Sequence, residues 1–476
     1  MNEASPIPAG ETEPEEAPPP PQMARMKGDL TQGPILKTLL LFSVPMLISN
    51  VLQTLNGSVN AIWVGRLLGE SALAATANAN IIMFLMIALV FGFGMATTVR
   101  VGQHFGARQI DAARRTFGSG VGFCTLLAVI CGLGGWFGAD SLLHTLGTPE
   151  ASRIEALAYL RVIFVTLPLG SLSLMVSMGM RGAGDSKTPL YAMILTVALD
   201  VILNPLLIIG PGPVPSLGIA GSALSTAFAN FAGLLFQVWR IYRQDLPMRL
   251  RGAELGYLIP RGSELKYVIL KGLPMGAQML LVSSAGLIMV SLVNKEGLHS
   301  AAAYGASLQL WNYLQMPAFS IGSAVSAMVA QSLGAHDHKR VGKVTGIGLV
   351  TNLAMSLVLA ALIVLFDHPL LALFLGGNSP AMPIAQNIQV ICTASFVIVS
   401  ITMILTGTMR AYGAVVAPLV IMFLGLYPGR LGFYFLAYPL IGSQALWWSY
   451  PVGSTLTVAM TVGYYRWGKW RAAFDL

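Results

Sequence analysis

The chain has 476 residues, of which 55% are hydrophobic and only 10% charged, with a net charge of +8. Polar side chains are too few to coat water-soluble domains of this size, so lipid has to cover most of the surface. The positive excess is spread over short segments between apolar runs, which points to membrane topology and anionic headgroups and away from nucleic acid.

Residues 1–28 are dominated by Pro and Glu, as in Glu11, Glu13, Glu15, Glu16 and Pro18–Pro21. With almost nothing apolar to bury, this stretch reads as a disordered cytoplasmic tail. It lacks the short apolar core and cleavage site of a secretory signal, so the first membrane helix is expected to direct insertion itself.

Twelve apolar runs follow, near 36–63, 72–98, 116–139, 156–179, 189–210, 219–240, 267–293, 302–331, 343–366, 385–408, 414–440 and 444–464. Each suffices for the roughly 20 helical residues that cross a hydrocarbon core of about 30 Å. Helices are required because unpaired backbone groups are costly in lipid.

All but five of the 28 Lys and Arg residues fall on the side that also carries the termini. The exceptions are Arg66, Arg153, Arg161, Lys295 and Arg430. The bias predicts cytoplasmic termini and a multi-pass protein of the inner or plasma membrane. Trp63, Trp239, Trp467 and Trp470 lie near span ends, where interfacial anchors are expected. Cys124, Cys131 and Cys392 sit inside apolar runs and read as small buried hydrophobes, not as a disulfide or metal set.

The chain repeats itself. Val101–Ala107 (VGQHFGA) returns as Val329–Ala335 (VAQSLGA), 228 residues on. Met180-Arg181, Gly184 and Pro189-Leu190 return as Met409-Arg410, Gly413 and Pro418-Leu419 at 229, as does Pro45-Met46 in Pro274-Met275. The expected fold is therefore an all-α integral membrane protein. Its twelve transmembrane helices form two six-helix bundles, related by a pseudo-two-fold axis along the membrane normal around a central cleft. The lobes are residues 29–243 and 266–476, joined by a basic cytoplasmic linker, 244–265.

An ionisable residue in the hydrocarbon region is a functional candidate by default. Asp200 lies deep in the run 189–210, and no other acid in the chain is comparably placed. Asn204, four residues on, is about 40° around the helix and shares its face. Pro205 removes a backbone donor and, with Pro45, marks a bending point.

On the first helix Gln53, Asn56 and Asn60 fall within an arc of about 60°. Ser222, Ser225 and Asn230, with Gln278, Gln309, Asn312 and Gln315 in the second half, are further candidates for the cleft wall; interhelical hydrogen bonding is the alternative for each. Burial disfavours an ionised carboxylate, so Asp200 could bind and lose a proton within the range of cellular pH.

Residues 28–466 resemble the multidrug and toxic compound extrusion (MATE) transporters. The segments that carry the resemblance are Pro45-Met46, Ala61–Gly69 (AIWVGRLLG), Gly102–Arg108 and Met180–Leu190 (MRGAGDSKTPL) with its second-half echo. The resemblance implies a two-lobed exporter of varied, often cationic, lipophilic compounds, driven by protons or sodium ions. It also implies a first-lobe ion site with an Asp on the first helix, just before the Val-Gly motif, and an Asn and an Asp four apart on the fifth. Here the first of these positions is Asn60 and the pair reads Asp200 then Asn204, while the fourth-helix Asn of the family falls at Leu174. A hard cation wants several oxygen ligands, often more than one carboxylate, so protons are favoured over sodium.

The expectation is a proton-coupled antiporter, a multidrug efflux protein with Asp200 as proton carrier beside Asn204 and Asn60. It would act as a monomer on small molecules within membrane lipid, with no covalent catalysis and no cofactor beyond the ion gradient. No phosphate-binding glycine loop or HExxH motif supports an enzyme. The alternatives are sodium coupling, a flippase for lipid-linked oligosaccharides, and a non-transporting membrane sensor or scaffold.

Overall fold

The computed structural model describes residues 27–145, 150–213 and 215–474. The tail expected over 1–28 lies, but for its last two residues, outside them. Every regular element among the described residues is helical. The first half comprises α1 (Ile35–Leu68), α2 (Glu70–Gly106), α3 (Ile110–Thr145), α4 (Glu150–Gly182), α5 (Lys187–Ile209) and α6 (Gly218–Arg243). The second comprises α7 (Gly262–Asn294), α8 (Leu298–Gly334), α9 (His338–Leu365), the short α10 (Asp367–Leu375), α11 (Met382–Ala411), α12 (Val416–Leu424), α13 (Phe433–Ile441) and α14 (Gln444–Trp467).

A π-helical stretch, Gly425–Gly432, joins α12 to α13, so that Val416–Ile441 is one rod and the second half also has six long helical members. Eleven segments among the described residues are long and apolar enough to span a bilayer. The twelfth, α14, carries Gln444, Ser449, Ser454 and several aromatic hydroxyls and is less apolar. At 24 residues it still rises about 36 Å, enough to cross.

The packing repeats as the sequence does. In the first half α4 touches α2, α3 and α6, and α5 lies against α1 and α6. In the second, α11 touches α8, α9 and α14, and the rod formed by α12 and α13 lies against α7 and α14. The repeated motifs have local causes. Both α2 and α8 end on a left-handed residue, Arg108 (φ 61°) and His336 (φ 56°), whose successors Gln109 and Asp337 close the turn onto the carbonyls of His104 and Ser332. In the α4–α5 turn Gly184 takes φ 79°, and Asp185 then caps α5 by accepting from the backbone N–H groups of Lys187 and Thr188, both at 3.0 Å.

The halves meet at the end that holds these turns. A Cβ on Gly106 would lie 1.9 Å from the carbonyl oxygen of Gln331, and one on Gly334 would lie 1.8 Å from that of Gln103, so only glycine lets α2 and α8 cross so closely. Each glutamine then reaches the other half. Gln103 Nε2 donates to the Ala411 carbonyl at 2.7 Å, and Gln331 Nε2 donates to the Gly182 carbonyl at 3.1 Å.

Glu264 on α7 adds a charged clamp to Arg100 (3.1 Å), His104 (3.2 Å) and Thr116 (2.6 Å) of the first half. Further in, Asn50 Nδ2 donates to Ser320 Oγ at 3.1 Å. A small cavity between the halves is lined there by Phe42, Met46, Phe91, Met95, Phe319 and Arg181. Trp470, expected as an interfacial anchor, is instead buried against Tyr412 and Tyr465, because the chain folds back after α14.

Candidate functional site

Along α5 the residues at every fourth position, Thr188, Ala192, Thr196, Asp200, Asn204 and Ile208, are buried. This is one helical face turned into the first bundle, and it takes the acid with it. Asp200 is 0% exposed. Its Oδ2 accepts from Asn56 Nδ2 and Asn60 Nδ2, both at 2.8 Å, and from Thr226 Oγ1 at 3.1 Å. Its Oδ1 accepts from Ser225 Oγ at 2.6 Å. Asn60 in turn accepts from Asn204 Nδ2 at 2.9 Å.

Four donors on α1 and α6 thus converge on one carboxylate. Hydrogen bonds of this kind take the place of the water that burial removes. Both hydroxyls also have a backbone carbonyl within reach, the Asp200 carbonyl for Ser225 (3.2 Å) and the Ser222 carbonyl for Thr226 (3.3 Å). They can therefore turn away when the carboxyl gains a proton. The side-chain oxygens Oδ1 of Asn56 and Asn204 are buried and have no protein partner.

Asp200, Asn204, Asn60, Asn56 and Ser225 form one cluster, with Ser222 contributing its carbonyl. Gln53 does not join it: the residue is exposed, about one turn before Asn56. Thr226 belongs to the cluster and was not singled out from the sequence, although it adjoins Ser225. In the second half, Gln278 is buried and donates to the Val415 carbonyl at 3.3 Å, tying α7 to the start of α12. Gln309 and Asn312 are exposed on α8, and Gln315 is partly buried. None of these four hydrogen-bonds Asp200, whose partners all lie in the first half. Asn230 is partly buried on α6. Pro45 and Pro205 both lie inside unbroken helices.

The second bundle holds a charged residue of its own. Arg430, grouped by sequence with the sparsely charged end, is the fifteenth residue of the 26-residue rod Val416–Ile441 and sits inside the second bundle. Its guanidinium carbon lies 4.1 Å from the centroid of the Tyr450 ring, and that tyrosine is 5% exposed. Tyr304 and Tyr450 share a hydroxyl–hydroxyl hydrogen bond, and the Trp311 ring is 5.4 Å from that of Tyr450. Arg430 Nε is buried without a protein partner.

The repeat explains the position. The spacing between the halves is 229 for Pro189 and Pro418 and for Ser225-Thr226 and Ser454-Thr455. Across the π-helical stretch one residue is added, and Asp200 corresponds to Arg430 at 230. Pro428, which lacks the N–H an α-helix would use, lies in that stretch. The counterparts of Asn56 and Asn60 are Ala285 and Met289, both 0% exposed. No cluster of three or more His, Cys, Asp or Glu side chains placed to hold a metal ion occurs among the described residues.

The MatE family model matches residues 45–206 and 274–436, one match to each half. The probable multidrug resistance protein YoeA of Bacillus subtilis (strain 168) is 32% identical over 435 residues, 91% of this chain and 94% of that one. The probable multidrug resistance protein YpnP of the same organism is 28% identical, covering 93% and 98%. Among solved structures, the outward-facing conformation of a multidrug resistance MATE family transporter of the MOP superfamily superposes with a TM-score of 0.84 at 21% identity, over 93% of this chain and 97% of that one.

Proposed function

Because the chain belongs to the MatE family, we propose that it exports small organic compounds across the cell membrane in exchange for protons. The residue that binds the coupling proton in this reading is Asp200. The observation that carries it is the fully buried carboxylate whose two oxygens are filled by donors from α1 and α6.

Protonation changes what that carboxyl can hold. A carboxylate accepts four hydrogen bonds; a carboxylic acid must donate one. Ser225 and Thr226 can turn to their backbone carbonyls, whereas a proton on Oδ2 requires an amide of α1 to release or flip, and the unpartnered Asn56 Oδ1 is an acceptor at hand for that proton.

A proton on Oδ2 would therefore loosen α1 from α5. Because α1 also reaches the second half through Asn50 and Ser320, a change in its hold on α5 is felt where the lobes meet. Loading Asp200 from outside and unloading it inside would draw about 2.3 kcal/mol per charge for each 100 mV of membrane potential. The closed end carries most of the basic residues, so it is the cytoplasmic gate in this reading, with the termini on the same side.

Sodium is the second reading, favoured by the spare oxygens of Asn56 and Asn204. It is the weaker one. A bound cation needs lone pairs that N–H and O–H donors already occupy on Asp200, and no second carboxylate stands beside it.

The test is uptake of ethidium, as a fluorescent organic cation, into proteoliposomes under an imposed proton or sodium gradient. The proton gradient should drive uptake and Asp200→Asn should reduce it at least about tenfold, the equivalent of one charged hydrogen-bonding group. Uptake driven by sodium alone, or undiminished in Asp200→Asn, would refute the proposal.

A further inference from the structure

The second half carries a half-buried cation where the first carries a buried acid, and nothing in the coupling reading uses it. Arg430 stands at the position related by the repeat to Asp200, about 20 Å along its rod from the gate end. Its charge meets the face of Tyr450 and, among the described residues, no carboxylate. The acids of the second half are Glu264, Glu296, Asp337, Asp367 and Asp475. The first lies in the gate, Glu296 accepts from Tyr438, Asp337 caps α9 and Asp367 begins α10. Asp475 lies outside the described residues.

The surroundings are built for an organic anion. Arg430 keeps part of its surface accessible while its Nε is buried and unpartnered. Gln389 Nε2 and Ser454 Oγ, on the neighbouring α11 and α14, are likewise buried polar atoms without protein partners. Beyond the guanidinium an aromatic wall continues from Tyr450 to Trp311 at 5.4 Å and from Trp311 to Phe396 at 4.9 Å. A planar cation that forks toward an oxyanion, backed by aromatic faces, suits the acidic end of an aromatic solute.

We propose that Arg430, with Tyr304, Tyr450, Trp311 and Gln389, forms an oxyanion subsite in the second half that binds the carboxylate or phosphate group of aromatic solutes. The proposal rests on the transporter reading above, which it extends from cations to zwitterionic and anionic compounds. Because the cation lies in one lobe and the proton-binding acid in the other, the two ends of a zwitterion would be sensed by different halves.

The test uses two probes that differ in one carboxylate, dansylglycine and its methyl ester, with the full-length protein in phosphatidylcholine vesicles. Energy transfer from tryptophan, including Trp311 and Trp447, to the dansyl group reports binding. The wild type should prefer the free acid by about tenfold or more, the value of one charge-assisted contact. Arg430→Gln should abolish the preference, Arg430→Lys should keep part of it, and Asp200→Asn should leave it in place.

Equal binding of acid and ester by the wild type, or an undiminished preference in Arg430→Gln that still binds the ester, overturns the proposal. Replacing part of the lipid with phosphatidylglycerol separates the sources of the anion. Loss of acid binding through competition supports a site open to any phosphate or carboxylate, and displacement of acid and ester alike speaks for a lipid site and against the proposal. A preference that survives in Asp200→Asn while proton-driven transport also survives would refute the coupling role and leave this subsite standing.

Discussion

At the gate end the two halves do the same thing twice. Gln103 of α2 reaches the last turn of α11 and Gln331 of α8 reaches the last turn of α4, each beside a glycine that lets the backbones touch. Deeper in, the correspondence ends. The first bundle surrounds Asp200 with two amides and two hydroxyls, while the second places Arg430 against aromatic rings, with Ala285 and Met289 where the amides would be. Repeated sequence preserves what must close symmetrically, and the interiors, free of that constraint, carry opposite charges.

The largest expected effect tests the shared part. Gly106→Val and Gly334→Val each drive a side chain into a backbone carbonyl of the opposite half, which costs the closed gate about 1–3 kcal/mol or more. Distances between spin labels placed across the gate should lengthen in both variants and to a similar extent. A change in one alone would break the symmetry argued here.

Smaller effects probe the part that differs. Asp200→Ala leaves Asn56, Asn60, Ser225 and Thr226 facing a hole, at about 1–3 kcal/mol for a stranded buried donor, and should lower the melting temperature of the purified protein. Arg430→Met removes a charge that no hydrogen bond to the chain holds, so the same scan should show little loss or a gain. Equal destabilisation by both would mean that Arg430 is as firmly held as the acid.

Asn60→Ala gives up one donor to Asp200 and strands the Asn204 amide, for about 1 kcal/mol, or a roughly fivefold fall in proton-driven transport. Its counterpart Met289→Ala should alter packing without changing the response to an imposed pH gradient. A coupling defect in Met289→Ala and none in Asn60→Ala would reverse the assignment of roles to the halves.

The helices were legible because a bilayer demands long apolar runs, and the repeat was legible because glycine, glutamine and proline at turns have few substitutes. Asp200 was legible as the one deep acid, and Asn56, Asn60 and Asn204 through helical spacing. Gln53, on the same arc, is exposed and makes no contact with Asp200, because an arc of about 60° on a helix is wider than one carboxylate can reach. Arg430 was hidden by the π-helical stretch. A single added residue moves the pairing from 229 to 230 and so masks the match to Asp200, and Arg430, although inside the expected run 414–440, is grouped by sequence with the charges of the sparsely charged side. The short α10 and the packing of Trp470 depend on tertiary contacts that local pattern does not encode.

The central claim is that one hydrogen ion is exchanged at Asp200 against solute, and the most direct measurement counts it. Purified protein in weakly buffered detergent solution, with a pH indicator present, is titrated with ethidium near neutral pH. The account gives release of up to one proton per bound solute in the wild type and none in Asp200→Asn. Equal release from both would contradict it.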